Sequence, residues 1–75
     1  MKFRRFTDYA EISECGRYTV SAAKVMGRWT FQGWRRGLFE GDIAILLTRR
    51  RTTIAEDARE TCRRHAAAQA KREAA

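Results

Sequence analysis

The 75-residue sequence contains no proline, only one histidine, and two cysteines that belong to no C-x-x-C pair. The absence of proline is compatible with continuous strands and one long helix, because proline interrupts both kinds of element. The longest apolar run, Ile43 to Leu47, is far shorter than the roughly 20 residues of a membrane-spanning helix. Isolated cysteines without a secretory signal are typical of a reducing compartment. We therefore predict a cytoplasmic protein with no membrane segment.

Enzyme signatures are also missing from the sequence. It has no glycine-rich nucleotide-binding loop, no H-E-x-x-H and no G-x-S-x-G. The one suggestive group is Cys62 and His65, close together on a predicted helix, with Cys15 elsewhere in the chain. A structural zinc site needs four ligands, and a Cys–His nucleophile needs a third, orienting group. We predict a non-enzymatic protein with no catalytic residues, no cofactor and no metal.

Positive charge is what the sequence has in excess. Sixteen Lys and Arg residues against nine Asp and Glu residues give a formal net charge of +7. Thirteen of the cations are arginines, whose planar guanidinium groups pair with phosphate or carboxylate in a bidentate manner. This balance favours an anionic partner, either nucleic acid or an acidic protein surface. GC-rich coding accounts for the same arginine and alanine content without any function, so composition alone leaves both explanations open.

The stretch Arg17–Gly37 has the pattern of a β-hairpin with one buried face. Apolar and polar residues alternate with a period of two on both sides of Gly27. Glycine readily adopts the positive φ that a tight hairpin turn requires. We predict strands over residues 17–25 and 28–35. The buried face is predicted to carry Tyr18, Val20, Ala22, Trp29 and Phe31.

Trp34 has two alternative positions in this hairpin. Strict alternation puts its side chain on the outer face of the sheet, beside Arg35 and Arg36. A β-bulge at Gly33 would shift the alternation by one residue and return Trp34 to the core. Large aromatic side chains dominate small cores, which favours the second position. The pattern itself leaves both open.

The flanking segments complete a predicted α+β domain that spans residues 1–75. Residues 1–13 predict an N-terminal arm or edge strand, with Phe3 and Phe6 against one edge of the core. The run Ile43–Leu47 predicts a third strand packed against the helix, so that residues 17–47 form an antiparallel sheet, which has three or four strands depending on whether residues 1–13 add one.

A C-terminal helix over residues 53–75, with a frayed tail, is predicted to pack on one face of this sheet. Thr53 and Glu56 fit a capping box, in which each side chain satisfies a backbone N–H group at the helix start. The face predicted to contact the sheet is built of small residues at helical spacing. Its members are Ile54, Ala58, Thr61, Cys62 and His65.

The arginines concentrate in a few places along the chain. Three are adjacent in a predicted loop, where their mutual repulsion does nothing for the fold. Others lie on the second hairpin strand, and the two groups meet at one end of the sheet if the third strand pairs with it. The helix arginines are predicted to be solvated. We predict that a partner or nucleic acid binds Arg28, Trp34, Arg35, Arg36, Arg49, Arg50 and Arg51, with Arg17 and Lys24 in a secondary role.

Two family resemblances follow from this order of elements. The hairpin, third strand and capped helix, with GRWTFQGWRRG leading to TIAEDARETCRRHA, are similar to the AP2-like domains at the N-termini of phage integrases. Those domains lay a basic three-stranded sheet in the DNA major groove. The chain also resembles small ββ(β)α proteins of phages and mobile elements, some of which are anti-CRISPR proteins. A length of 75 residues with no catalytic domain attached favours the second resemblance.

The anti-CRISPR resemblance implies a phage-type inhibitor of a host CRISPR–Cas effector. Its arginines would engage an acidic protein surface or the nucleic-acid path of the effector and block target DNA binding. The alternative is a small, sequence-tolerant DNA-binding module of the AP2-like type. The expected partners are therefore the host effector or its nucleic acid, or DNA directly. The expected state is a monomer or weak homodimer in the cytoplasm of the infected or host bacterium.

Overall fold

The computed structural model describes residues 1–37, 44–48 and 50–74. These residues form an antiparallel sheet of five strands in the order β1-β2-β3-β4-β5, followed by one C-terminal helix. The elements are β1 (Phe3–Thr7), β2 (Ala10–Ser13), β3 (Tyr18–Val25), β4 (Arg28–Arg35), β5 (Ile45–Leu46) and α1 (Ala55–Ala74). The predicted α+β class is confirmed, with five strands in place of the three or four that were predicted.

The first 13 residues contain the edge strand β1 and its partner β2. They pair from Phe3↔Ser13 onward, with a register shift between Arg5 and Thr7. Such a shift interrupts the alternation of side chains, which is why the sequence here shows no clean strand pattern. Phe3 packs against the core as predicted, whereas the prediction for Phe6 is wrong, because its side chain is 57% exposed.

The central hairpin of β3 and β4 matches the predicted strands, and the two strands pair over their whole length. The turn between them consists of Met26 and Gly27, with φ angles of 50° and 80°. Two positive φ values are typical of a type I′ turn, whose twist matches that of the flanking strands. The register continues unbroken through Gly33, so no bulge is present. Trp34 therefore lies half-buried on the outer face, the face opposite α1, and its indole N–H donates to Ser21 Oγ at 2.9 Å.

Gly33 serves helix packing on the inner face, the face that α1 covers. A Cβ atom at this position would lie 3.0 Å from the backbone oxygen of Ala58 and 3.0 Å from Cys62 Sγ. Ala58 and Cys62 have no exposed surface, and they form the core together with Tyr18 and Val20 of β3. The small residues on both surfaces allow the helix backbone to approach the sheet at close-packed distance.

The helix covers only part of the inner face. Thr52 pairs with Phe31, and α1 begins three residues later and runs away from the β3–β4 turn. Phe31 packs against the core as predicted, but Trp29, which is two residues nearer the turn on the same face of β4, is 47% exposed. Ile54 precedes the helix and is 56% exposed, so its predicted place on the buried helix face is wrong.

The predicted capping box is replaced by another arrangement at the helix start. The Oγ1 of Thr52, not of Thr53, accepts a hydrogen bond from the Ile54 N–H at 3.1 Å. The carboxylate of Glu56 pairs with Arg59 and Arg63 instead of reaching back to the backbone. Thr52 takes this role because two backbone hydrogen bonds with β4 hold it at the sheet edge.

The third predicted strand is shorter and more exposed than the apolar run suggests. β5 consists of Ile45 and Leu46, whose side chains are 57% and 44% exposed, and Leu47 packs against the core. Ile43 lies outside the described residues. At the other end of the chain, α1 continues through Ala74. No helix within the described residues is long and apolar enough to cross a membrane.

The close contact at Gly33 makes a stability prediction. Gly33→Ala should lower the free energy of unfolding by about 1–3 kcal/mol, because the added methyl group overpacks against Ala58 and Cys62. Urea denaturation followed by circular dichroism measures this change. Gln32→Ala, on the outer face of the same strand, should change it by about 0.5 kcal/mol or less.

A double mutant tests the cause of this destabilisation. In Gly33→Ala/Cys62→Ala the new methyl group gains the space of the removed sulfur, so the loss should be smaller than the sum of the two single losses. Additive losses would show that the contact with Cys62 does not limit the approach of the helix.

Candidate nucleic-acid interface

The loop that carries Arg50 and Arg51 lies along the edge of β4 that does not pair with β3. Thr52 exchanges two backbone hydrogen bonds with Phe31, of 2.6 and 3.0 Å, and β5 pairs with the same strand further along. Leu47 and Thr48 stay bound to β4, because the Leu47 N–H donates to the Gly33 oxygen at 2.9 Å and the Gly33 N–H donates to Thr48 Oγ1 at 3.3 Å. Arg50 and Arg51, directly before Thr52, are exposed, whereas Arg49 lies outside the described residues. These contacts with β4 hold the two exposed arginines at the edge of the sheet.

A cleft of about 420 Å³ separates this loop from the first turns of α1. Arg50 lines the cleft from the loop and Arg64 lines it from the helix, together with three threonine side chains. Guanidinium and hydroxyl groups are common donors to phosphate oxygens. The threonines are Thr48, Thr52 and Thr61.

One carboxylate of the cleft is already engaged by the helix start. Asp57 lies in the first turn of α1, where the helix dipole favours a negative charge. Its Oδ2 accepts a hydrogen bond from Thr52 Oγ1 at 3.4 Å. This arrangement links the loop to the helix and leaves the two arginines as the positive groups of the cleft.

The helix arginines fall into two classes that the sequence did not separate. Arg59 makes two hydrogen bonds to Glu11 of β2, of 2.7 and 2.8 Å, and Arg63 pairs with Glu56. The hydrogen bonds to Glu11 are the main reason that the pKa of Arg59 is raised. Arg64 is 81% exposed, and its contact with a carboxylate of the same helix is 3.8 Å long. Two of these arginines therefore hold the fold together, and the third faces the cleft.

We name Arg50, Arg51 and Arg64 the basic edge. Arg64 was missed as a candidate because helix periodicity alone shows only that it faces away from the core. Its spacing of three residues from Thr61 and seven from Asp57 places these side chains on one helix stripe. This stripe identifies Arg64 as a binding candidate only when the loop is known to lie beside the helix.

The other predicted binding residues do not join this edge as one patch. Arg28 begins β4 and Arg35 ends it, so about 23 Å separates them along the strand. The prediction that Arg28 and Arg35 belong to one basic cluster is therefore wrong. Arg36 lies at the same end as Arg35, where its N–H donates to the backbone oxygen of Arg17 at 2.7 Å. Lys24 lies at the opposite end, near the β3–β4 turn.

Trp34 and Arg35 lie on opposite faces of the sheet. Arg35 is on the inner face, opposite Tyr18, and its Nε is buried with no hydrogen-bond partner among the described residues. Trp34 is opposite Thr19 on the outer face. One ligand surface therefore does not include both side chains.

Neither the Tyr18 hydroxyl nor the Cys62 thiol is activated as a nucleophile. The hydroxyl of Tyr18 and Nδ1 of His65 are 2.8 Å apart. Burial raises the pKa of the Tyr18 hydroxyl, against the opposing effect of Arg35, and burial raises the pKa of the Cys62 thiol to about 11. A buried, protonated thiol is chemically inert. The described part of the chain also has no group of three or more His, Cys, Asp or Glu side chains placed to hold a metal ion.

In comparisons with known proteins, no family model matches the chain, and neither the curated proteins nor the solved structures gave a match. The resemblances to AP2-like domains and to anti-CRISPR proteins therefore stay predictions. Inferences about function rest on the geometry of the chain itself.

The environment of His65 predicts a pH dependence of stability. Burial lowers the pKa of His65 below 6.5, and the charges of Arg35 and Arg72 lower it further. Between the folded and unfolded pKa values the unfolded chain binds more protons, so the free energy of unfolding should fall as the pH drops through about 6.5. Urea denaturation between pH 7.5 and 5.5 measures this fall, which should be smaller in His65→Gln. An NMR titration midpoint for His65 at or above 6.5 would contradict the argument.

Proposed function

We propose that this chain is a non-enzymatic protein that binds nucleic acid through the basic edge. The observation that carries the proposal is the cleft of about 420 Å³, with a guanidinium group on either side and hydroxyl groups in its wall. Arg50 and Arg51 take part in no ion pair within the described residues, in contrast to Arg59 and Arg63. Their charges are thus available to an external anion.

Phosphate groups are the ligands that this chemistry suits best. Guanidinium groups bind phosphate oxygens by charge-assisted hydrogen bonds, and threonine hydroxyls donate to the same oxygens. The net charge of +7 adds a long-range attraction to a polyanion. A contact with about three phosphates of duplex DNA would give a slope near −2.7 for the logarithm of affinity against that of salt concentration.

The second candidate is an inhibitor of the anti-CRISPR type, which contacts a host CRISPR–Cas effector protein. The specific observation in its favour is the exposure of Ile45 and Leu46 on β5, which borders β4 beside the basic edge. Protein interfaces combine an apolar centre with a polar rim, whereas a phosphate backbone gives isoleucine and leucine nothing to pack against. In this case the arginines would engage an acidic surface or the nucleic-acid path of the effector.

Charge reversal in the loop tests the first candidate. Arg50→Glu/Arg51→Glu should weaken binding to random duplex DNA at least tenfold and make the salt slope shallower by about two. Mobility shifts at several salt concentrations measure both quantities. Lys71→Glu/Arg72→Glu removes the same charge from the exposed end of α1 and serves as the matched control. Equal losses in the two variants would show that only net charge matters.

Replacement of the apolar side chains on β5 tests the second candidate. Ile45→Ser/Leu46→Ser should leave DNA affinity unchanged but abolish co-purification with an effector and protection of a phage against an active CRISPR system. The readouts are a pull-down and a phage plaque assay. A parent protein that gives no protection and binds no effector would exclude the inhibitor and leave the DNA-binding candidate.

A further inference from the structure

Tyr9 and Trp29 form an exposed aromatic pair close to the β3–β4 turn. Their ring centroids are 6.0 Å apart and their planes differ by only 23°. The two residues are 60% and 47% exposed. Aromatic side chains contribute most to a small protein when they are buried, so core packing does not account for a stacked pair that stays in solvent.

The two rings are held from either side of β3, with Tyr9 directly before β2 and Trp29 on β4. The backbone oxygen of Tyr9 accepts a hydrogen bond from the Ala22 N–H at 2.7 Å, and Trp29 is opposite Lys24 in the register of β3 and β4. Both rings therefore lie on the face of β3 that carries Ala22 and Lys24. Because α1 begins at the level of Phe31 and runs away from the turn, it does not cover the pair.

A cleft of about 340 Å³ adjoins the aromatic pair at Tyr9. Its apolar lining includes Val20, Ala22 and Phe31 on the inner face of the sheet. The volume is in the range of small-ligand sites. The cleft therefore offers space for a flat, uncharged group next to an exposed ring.

The charged residues around this cleft neutralise one another. Arg5 pairs with Asp8 at 3.2 Å, and Arg59 pairs with Glu11 at 2.7 Å. All four residues line the cleft. A charged ligand would have to break the largely buried Arg59–Glu11 pair to gain a partner there, whereas a neutral ring system would not.

An unpaired cation stands beside the rings. Lys24 is exposed and opposite Trp29 in the register, so it lies on the same face of the sheet, and it is in no ion pair with any residue that the structure describes. We name Tyr9, Trp29 and Lys24 the aromatic tip. Flat rings next to an unpaired cation are complementary to a ligand that has flat uncharged groups on an anionic backbone.

We propose that the aromatic tip binds single-stranded nucleic acid, with bases stacked on Tyr9 and Trp29 and a phosphate on Lys24. Unpaired bases expose their faces for stacking on aromatic side chains, whereas the bases of a duplex are stacked on one another. Stacking accepts every base, so the tip binds with little sequence preference. The proposal rests on the proposed function only in taking nucleic acid as the ligand, since the basic edge shares no residue with the tip.

Fluorescence of Trp29 tests the stacking directly. Trp34→Phe leaves Trp29 as the single tryptophan. An oligothymidine strand should quench its emission strongly, whereas inorganic polyphosphate, which has charge but no bases, should leave it nearly unchanged. Equal quenching by the two ligands, or none by the oligonucleotide, overturns the proposal.

Affinities of ring variants give a second measurement that does not depend on Trp34→Phe. Trp29→Leu and Tyr9→Leu should each weaken oligothymidine binding by about 5- to 150-fold, because base stacking contributes about 1–3 kcal/mol per ring. Trp29→Phe should keep most of the affinity. Phe6→Leu alters an exposed aromatic residue outside the pair and is the matched control. Parental affinity in Trp29→Leu and Tyr9→Leu, with circular dichroism unchanged, overturns the proposal.

The two sites fail in distinguishable ways. Loss of duplex binding in Arg50→Glu/Arg51→Glu, with oligothymidine still bound, supports the aromatic tip as a separate site. If the parent does not bind duplex DNA but the ring variants lose oligothymidine binding, the basic edge is wrong and the aromatic tip stands. If Arg50→Glu/Arg51→Glu and Trp29→Leu lower both affinities equally, the tip has no separate role and the proposal is overturned.

Discussion

The close approach of α1 to β4 at Gly33 is the contact on which the rest of the structure depends. Ala58 and Cys62 lie directly against a residue without a side chain, and in this position of the helix both are fully buried. That position puts the helix start at the level of Phe31 and sends the helix away from the hairpin turn. The loop before the helix must then leave the sheet edge, and the hairpin end stays uncovered. Both candidate surfaces are consequences of this docking.

The same docking divides the arginines into structural and available groups. Arg59 joins the helix to β2 through Glu11, and both side chains are about 70% buried, which protects the pair from screening. Arg63 pairs with a carboxylate of its own helix and lies over the ring of Phe3, with the guanidinium carbon 5.9 Å from its centroid. The loop arginines lack such partners within the described residues. The arginines of this chain therefore do not share one role, because some of them maintain the fold and others face solvent.

The hairpin of β3 and β4 was predictable because alternation and a glycine turn are local signals. The exposure of Trp29, the role of Gly33 and the position of Arg64 were not, because each depends on where a distant helix lands on the sheet. The helix start shows the same limit. Thr53 and Glu56 satisfy the capping pattern, but pairing with β4 fixes Thr52 instead. Local propensity thus identified the elements, and long-range packing decided which side chains they present.

The two cysteines, which have no part in the proposed binding, differ in their exposure in the folded protein. Cys15 is exposed, and although burial alone would raise its pKa, a hydrogen bond with Ser13 and the charge of Arg17 lower it overall. Cys62 is sealed beneath the helix with a pKa of about 11. A thiol reagent therefore reacts with Cys15 in the native protein but reaches Cys62 only when α1 lifts from Gly33. The rate at which Cys62 is modified therefore reports how often α1 separates from the sheet, and the modification of Cys15 in the same sample is the internal standard.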